Sequence, residues 1–466
     1  MKRTLATYSN KFTGCFLLLI CVTGLSCKKF VTVDLPVDKV TAETVFSNEE
    51  TATSAVVGIY SQMMPTIPFY SCGGTTIYAG LSADEFQLTN ATNAEDVEFE
   101  QNKLSVANST LSFNFWQRAY KIIYQSNACI EKLSASSILR PLTRDQLLGE
   151  AKFIRAFHYF YLLNLFGEVP LVTGTDYRKN ALLPRTPARE IYAQIVSDLM
   201  EAKSLLAAVY PSAGRVRPNK QAAIALLARV YLYQQDWAAA EKEATEIINT
   251  GAYSLLTNLA DVFLATSNEA IWQLMPVESG FNTTEARSFI PTTSASTKPA
   301  YAVTSQLLAA FEQGDARKSA WLASKTVAGQ PYYYPFKYKV RNLSLPVTEY
   351  YMVLRYAEQL LIRAEARAHQ DNITGAKHDL DSIRSRAGLP PSIATDKESL
   401  LTAIEHERQI ELMAEWGHRW FDLRRTGKVD AVIGNMKPSW QSSAALFPIP
   451  LTEILQNPSL TQNQGY

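Results

Sequence analysis

Two stretches of the chain repeat one spacing of small and aliphatic residues, and this repeat limits the fold more than any other feature. Residues at matching offsets of 12, 4 and 3 positions are Ala228, Ala240, Ala244 and Ile247 in one stretch and Ala364, Ala376, Leu380 and Ile383 in the other. Antiparallel helices that cross closely need small residues at the crossing point, and stacked pairs bury a core that one pair cannot bury. The spacing predicts tetratricopeptide-like helix pairs.

Helical periodicity extends this prediction to four helix pairs, over about 48–133, 143–207, 220–249 and 352–387. A capping box at Thr143 to Gln146 predicts the start of the long helix that runs to about Phe166. Two stretches lack this periodicity, about 65–111 and 257–350, and we name them the first and second insertions. Alternation from Tyr332 to Lys339 predicts a short strand in the second.

Composition and charge exclude two classes of protein. Hydrophobic residues make up 47% of the 466 residues and charged residues 19%, which is typical of a globular chain with a large core. The formal net charge is +1, and no long run of Lys and Arg occurs. We therefore expect neither a disordered chain nor a nucleic-acid partner.

The first residues have the features of an export signal. Lys2 and Arg3 precede a short apolar run, Phe16–Val22, which is too short to cross a bilayer. Gly24-Leu25-Ser26-Cys27 resembles the lipobox of bacterial lipoproteins, although Gly24 stands where that pattern prefers Leu. We expect a signal peptide at 1–26, a lipid anchor on Cys27 with a tether over 27–40, and a single domain over 41–466. Secretion with cleavage elsewhere is the alternative.

The chain offers little for catalysis or metal binding. The acids and bases between Glu405 and Asp422 lie three and four residues apart on one helix, a spacing that favours ion pairs. A glycosidase instead needs two carboxylates facing each other across a cleft, roughly 5 to 10 Å apart. His406-Glu407 lacks the second His four residues on that a zinc site requires, because Ile410 stands there. We expect no catalytic residue, metal or cofactor, and the sequence leaves open whether Cys72 and Cys129 pair.

Several long motifs resemble the SusD/RagB family. They are Glu150–Tyr161 with Leu165–Pro170, Arg355–Ala366, Ile383–Leu389, Glu407–Leu412, Gly417–Arg424, Phe447–Pro450 and Gln462–Tyr466. The resemblance spans most of the chain and includes a C-terminal signature region over 395–466. It implies a mainly α SusD-like fold, in which four tetratricopeptide-like helix pairs form a right-handed scaffold with long irregular loop insertions and a few short strands.

The same resemblance implies a function. Members are non-catalytic lipoproteins on the outer face of the outer membrane, which capture oligosaccharides for a SusC-like TonB-dependent transporter. Peptide capture, as in RagB-like members, is the alternative. A surface hydrolase that uses Asp84 and Glu85, or an acid of the second insertion, is a remote one, and the long insertions argue against a scaffold that only binds proteins.

Candidate ligand contacts are aromatic and acidic residues of the two insertions, because sugar C–H faces stack on rings and sugar hydroxyls need polar partners. The candidates are Tyr70, Tyr78, Asp84 and Glu85 in the first insertion and Phe281, Tyr301 and Trp321 in the second. Each ring has an alternative role, packing beneath its own loop. We leave Tyr332, Tyr333 and Tyr334 out, because consecutive strand residues face opposite sides.

Overall fold

A computed structural model describes residues 42–466. The predicted signal peptide, Cys27 and the tether over 27–40 lie outside the described residues. A short helix, α1 (Ala42–Val45), belongs to one unit of the chain, and Phe46–Tyr466 form a second, compact unit. The paragraphs below concern this second unit.

The first half of the compact unit is helical. Its elements are α2 (Glu49–Met63), α3 (Gly74–Ser82), β1 (Phe86–Leu88), α4 (Ala94–Glu100), a π-helical segment (Thr110–Gln117) that continues into α5 (Arg118–Ser134), α6 (Pro141–Phe166), α7 (Tyr177–Asn180) and α8 (Ala188–Leu205). The capping box predicted at Thr143 is wrong, because α6 begins at Pro141, whose missing N–H costs nothing in a first helical turn. The first insertion is not an irregular loop, since it contains α3, β1 and α4.

The second half contains the remaining strands. After a 3₁₀ turn (Ala213–Arg215) come α9 (Lys220–Tyr233), α10 (Trp237–Asn249), β2 (Ala270–Leu274), α11 (Thr284–Phe289), β3 (Tyr301–Val303), α12 (Ser305–Ala310), α13 (Ala316–Trp321), β4 (Leu322–Val327), β5 (Gln330–Pro335) and β6 (Tyr351–Arg355). The C-terminal elements are α14 (Tyr356–His369), α15 (Ile373–Arg386), α16 (Lys397–Glu411), α17 (His418–Arg425), α18 (Val429–Met436), a 3₁₀ turn (Ser442–Ala445) and α19 (Leu451–Gln456). The prediction of a mainly α fold with a few short strands is confirmed.

The repeated residues lie in the helix pairs that the sequence predicts. Helix α9 packs on α10 and α14 packs on α15, and α10 also contacts α14. All eight repeat residues are fully buried. Their small and aliphatic side chains therefore fill the contacts between neighbouring helices, which is the packing role inferred from the spacing.

Among residues 42–466 there are three two-stranded antiparallel sheets, and one of them, β1–β3, joins the two insertions. Strand β1 pairs with β3, β2 with β6, and β4 with β5. The β1–β3 pair places Leu88 of the first insertion opposite Tyr301 of the second. The predicted strand at Tyr332–Lys339 corresponds to β5, which begins two residues earlier and ends at Pro335. Strand pairing therefore makes the two insertions one structural layer.

A buried ion cluster joins the second insertion to the helical scaffold. Glu411, at the end of α16, accepts hydrogen bonds from Arg355 Nη1 at 2.6 Å and from Arg317 Nη1 at 3.0 Å. Arg355 also binds Glu415 through its Nε, at 2.8 Å. Although burial alone raises it, neighbouring guanidinium groups, Arg386 first, hold the pKa of Glu411 well below its usual range. Glu411 is therefore ionised and fully paired inside the protein.

The first insertion is fastened to the C-terminal region by two adjacent acids. Asp84 accepts hydrogen bonds from Arg419 Nε at 2.8 Å and from Arg419 Nη2 at 2.7 Å. Glu85 Oε1 accepts one from the backbone N–H of Ala414 at 2.9 Å, whereas its Oε2 has no hydrogen-bond partner among the described residues. Burial raises the pKa of Glu85 from its ordinary value of 4.5 to about 8, so this carboxyl group is neutral at neutral pH.

We predict that Glu411→Gln strongly destabilises the protein. The change leaves buried guanidinium groups facing one another without their shared carboxylate, which costs about 3–5 kcal/mol in free energy of unfolding. Urea denaturation measures the loss. Glu398→Gln is the matched control, because Glu398 is exposed on the same helix and should shift the midpoint little. Equal midpoints for both variants would contradict the structural role of Glu411.

We also predict a pH effect at Glu85. The folded chain holds this proton more tightly than the unfolded chain, so the protein loses stability as pH rises from 4.5 towards 8. Glu85→Gln imitates the neutral acid and should remove part of that loss, at most about 1.4 kcal/mol per pH unit. Denaturation of wild type and variant at pH 5.5, 7 and 8.5 measures it, and parallel pH profiles would contradict the prediction.

Candidate ligand-binding face

Four of the aromatic candidates belong to the core rather than to a binding surface. Tyr70, Tyr78, Phe281 and Trp321 are all buried. The Tyr78 ring lies 4.6 Å from that of Phe99, and Trp321 Nε1 donates to the carbonyl of Leu259 at 3.0 Å. Their assignment as ligand contacts is corrected on this ground. These rings therefore fill the interior of the protein instead of lining its surface.

The two acidic candidates are corrected for a related reason. Asp84 and Glu85 are buried, and their contacts with Arg419 and Ala414 fasten the first insertion. Neither carboxyl group is available to a ligand at the surface. The hydrolase hypothesis that used this pair therefore lacks an accessible acid.

Tyr301 is the one predicted candidate that is partly exposed, and it belongs to a small polar group. Its hydroxyl donates to Asp96 Oδ2 at 3.1 Å, and Asn93 Nδ2 donates to Asp96 Oδ1 at 3.0 Å. Asn93 is the N-cap of α4, and Tyr301 begins β3 opposite Leu88. Burial raises the pKa of both Tyr301 and Asp96, and Tyr301 therefore keeps its proton. The group presents donors and acceptors held by two insertions.

An aromatic ring lies on the neighbouring strand. Lys298 Nζ is 5.1 Å from the ring centre of Tyr332 in β5, and β5 contacts β3. The opposite residue in the hairpin, Lys325, donates to the carbonyls of Thr292 at 2.7 Å and Ser294 at 2.6 Å. Lysine contacts thus hold the loop over 292–298 beside the hairpin. We name Asn93, Asp96, Lys298, Tyr301 and Tyr332 the insertion face.

Sequence reasoning missed four of these five residues. Tyr332 was set aside with its two neighbours, because the sequence gives no means of choosing which ring faces a ligand. In the structure Tyr334 is buried, Tyr333 is 37% exposed, and Tyr332 lies between these extremes beside Lys298. The Asn93–Asp96 spacing is typical of a helix cap, and only the hydrogen bond from the Tyr301 hydroxyl to Asp96 adds a further role.

The arrangement favours reversible binding over covalent chemistry. The acids between Glu405 and Asp422 are ion-paired, with Glu405 bound to Lys428 and Asp422 bound to Arg408 at 2.8 Å. The prediction that they share one helix is wrong, because the segment forms two helices, α16 and α17, and these two pairs join different elements. In the part of the chain that the structure describes, no three His, Cys, Asp or Glu side chains are grouped as a metal site requires. Cys72 and Cys129 are both free and buried, so they do not pair.

None of the helices between residues 42 and 466 is long and apolar enough to span a membrane.

Comparisons with known proteins agree with this architecture. A family model described as starch-binding associating with outer membrane matches residues 36–232, and the SusD family model matches residues 311–466. SusD-like protein P25 of Formosa agariphila is 26% identical over 528 aligned residues, which cover 97% of this chain and 98% of the relative.

Solved structures share the fold. A SusD superfamily protein from Parabacteroides distasonis has a TM-score of 0.78 and 26% identity, covering 92% of this chain and 100% of the other. A laminarin-binding SusD-like protein has a TM-score of 0.77 and 23% identity, covering 90% of this chain and 100% of the other. With two related family models matched over 36–232 and 311–466 and a relative aligned over 97% of the chain, the chain belongs to the SusD/RagB family.

Proposed function

We propose that this protein is a non-catalytic binding protein of the cell surface, which captures oligosaccharides at the insertion face. It passes them to a SusC-like TonB-dependent transporter in the outer membrane. The observation that carries the proposal is the partly exposed Tyr332 ring on β5, a strand that contacts β3, where Tyr301 begins the strand. A ring stacks on the apolar face of a sugar, while the exposed Asn93 amide and the Tyr301 phenol bind its hydroxyls, and the buried Asp96 carboxyl group holds the phenol in place.

The related proteins support carbohydrate as the ligand class. One matched family model carries a starch-binding description, and one protein of the same fold binds laminarin. Both ligands are neutral glucose polymers.

A rigid scaffold suits capture without chemistry. Ligand loops placed on packed helices lose little conformational freedom on binding, which preserves affinity. The acids between Glu405 and Asp422 are committed to ion pairs, and Asp84 and Glu85 of the first insertion are buried. Peptide capture remains the alternative function, and a mixed panel of ligands separates the two.

Membrane attachment is proposed through Cys27. Lipid on this residue would place the compact unit at the outer face of the outer membrane, near a transporter. The family model that matches residues 36–232 is described as associating with the outer membrane, in agreement with this location. Co-purification of the tagged chain with a TonB-dependent transporter from the native membrane tests the partner.

We predict that Tyr332→Ala weakens glycan binding about tenfold, equal to about 1.4 kcal/mol, because the stacking surface is lost. The full-length chain is run on native gels that contain plant, host or microbial polysaccharides, with a peptide pool tested in parallel. Tyr333→Ala is the matched control, since the adjacent ring faces the opposite side of the hairpin.

Retardation by a polysaccharide that Tyr332→Ala reduces and Tyr333→Ala leaves unchanged is the expected outcome. Binding of peptides with no retardation by any polysaccharide would replace the glycan proposal with peptide capture. Release of shorter sugars from a bound polysaccharide would contradict the non-catalytic role.

We predict that Cys27→Ala abolishes lipid attachment. The wild-type chain should incorporate labelled palmitate and sediment with outer membranes, whereas the variant should incorporate none. Cys72→Ala is the control, because Cys72 is buried in the compact unit and should not affect labelling. Equal labelling of wild type and Cys27→Ala would refute the anchor assignment.

A further inference from the structure

A second concave surface lies beside α5, and none of the five insertion-face residues lines it. The cleft has a volume of about 560 Å³, which lies within the usual range for small-molecule sites. One wall is formed by α5 and by the two residues before it, Trp116 and Gln117. The opposite walls come from the segment that contains α7 and from the C-terminal segment around α19.

Aromatic residues form the wall on the α5 side. Trp116, Tyr120 and Tyr124 follow one another at intervals of four residues, so their side chains share one face of the helix. They cover roughly 12 Å of its length at 1.5 Å per residue. The first two rings lie 5.0 Å apart, and the Tyr120 hydroxyl donates to the carbonyl of Pro170 at 2.9 Å. This wall is therefore preformed.

The remaining lining combines polar side chains with four apolar residues, Pro170, Val172, Ala181 and Leu460. It includes four amide side chains, Gln117, Asn180, Gln456 and Asn457. Lys121 and Glu453 are its two charged residues, of opposite sign. An amide offers both a donor and an acceptor in one plane, which suits pairs of neighbouring hydroxyls. Aromatic rings lie on both sides of the cleft, since Tyr177 is on the wall opposite α5. Together with the amides, they favour a neutral, hydroxyl-rich ligand over an ion.

We propose that this cleft is a second saccharide subsite, which binds another stretch of the polysaccharide held at the insertion face. The ligand class rests on the proposed function, whereas the site itself is separate. The two sites are joined through Glu95, which lies between Asn93 and Asp96 in the chain. Glu95 accepts hydrogen bonds from the backbone of Ser109 at 3.0 Å and from the Thr110 hydroxyl at 2.6 Å.

Thr110 begins the π-helical segment that leads to Trp116, so one short, ordered stretch of chain connects both surfaces. A polymer that occupies one site raises the effective concentration of its next units at the other. The protein would therefore bind a polysaccharide more tightly than either site does alone.

The test uses the full-length chain in detergent on native gels containing laminarin, starch, xylan, mannan or galactan. The double variant Tyr124→Ala/Tyr177→Ala empties the cleft walls without opening the core, because these side chains are 49% and 71% exposed. Phe113→Ala is the matched control, since Phe113 is 58% exposed near the same helix and does not line the cleft. Equal melting temperatures show that all variants fold.

We expect the double variant to bind the retarding polymer about tenfold more weakly, and Phe113→Ala to bind it as wild type does. Adding the two cleft substitutions to Tyr332→Ala should remove the binding that remains. Wild-type affinity in the double variant, with loss in Tyr332→Ala, overturns the second subsite and leaves the proposed function standing. Loss of polysaccharide binding in the double variant, with wild-type binding in Tyr332→Ala, would support the cleft as a binding site and rule out the insertion face. Retardation by none of the polymers overturns the subsite.

Discussion

The carboxylate of Glu411 holds together parts of the chain that are distant in sequence. It lies at the end of α16 and contacts Arg355, at the junction of β6 and α14, and Arg317, in α13 of the second insertion. Charges at this depth are stabilising only when each is paired, so the contacts must form together. The helical scaffold and the second insertion are consequently fixed to each other by electrostatics as well as by apolar packing.

The placement of the insertion face depends on this attachment. The hairpin of β4 and β5 begins directly after α13, whose Arg317 is held by the buried ion cluster. Strand β3 precedes the same helices and pairs with β1, and the first insertion is fastened in turn by Asp84 and Arg419. Tyr301 and Tyr332 are therefore carried on strands with little freedom to move. Evolution can vary the exposed side chains while these buried contacts keep their positions.

The scaffold could be predicted from the sequence because helical packing leaves a periodic signal. Ala228 and Ala364 recur in register with their partners, and each lies fully buried where two helices meet. The insertions carry no such signal. Trp321 and Tyr332 are both aromatic residues of one segment, yet one fills the core and the other lies beside Lys298. Contacts between residues distant in sequence, such as the pairing of Leu88 with Tyr301, determine whether a ring of the insertions is buried or exposed. A single sequence does not reveal such contacts.

Hydrogen exchange of the full-length chain, with and without a retarding polysaccharide, tests whether a glycan binds where the two insertions meet. We expect slower amide exchange in peptides that cover 89–96, 298–303 and 330–335, with little change in α9, α10, α14 and α15. Slower exchange confined to the helical scaffold, with these three segments unchanged, would contradict it.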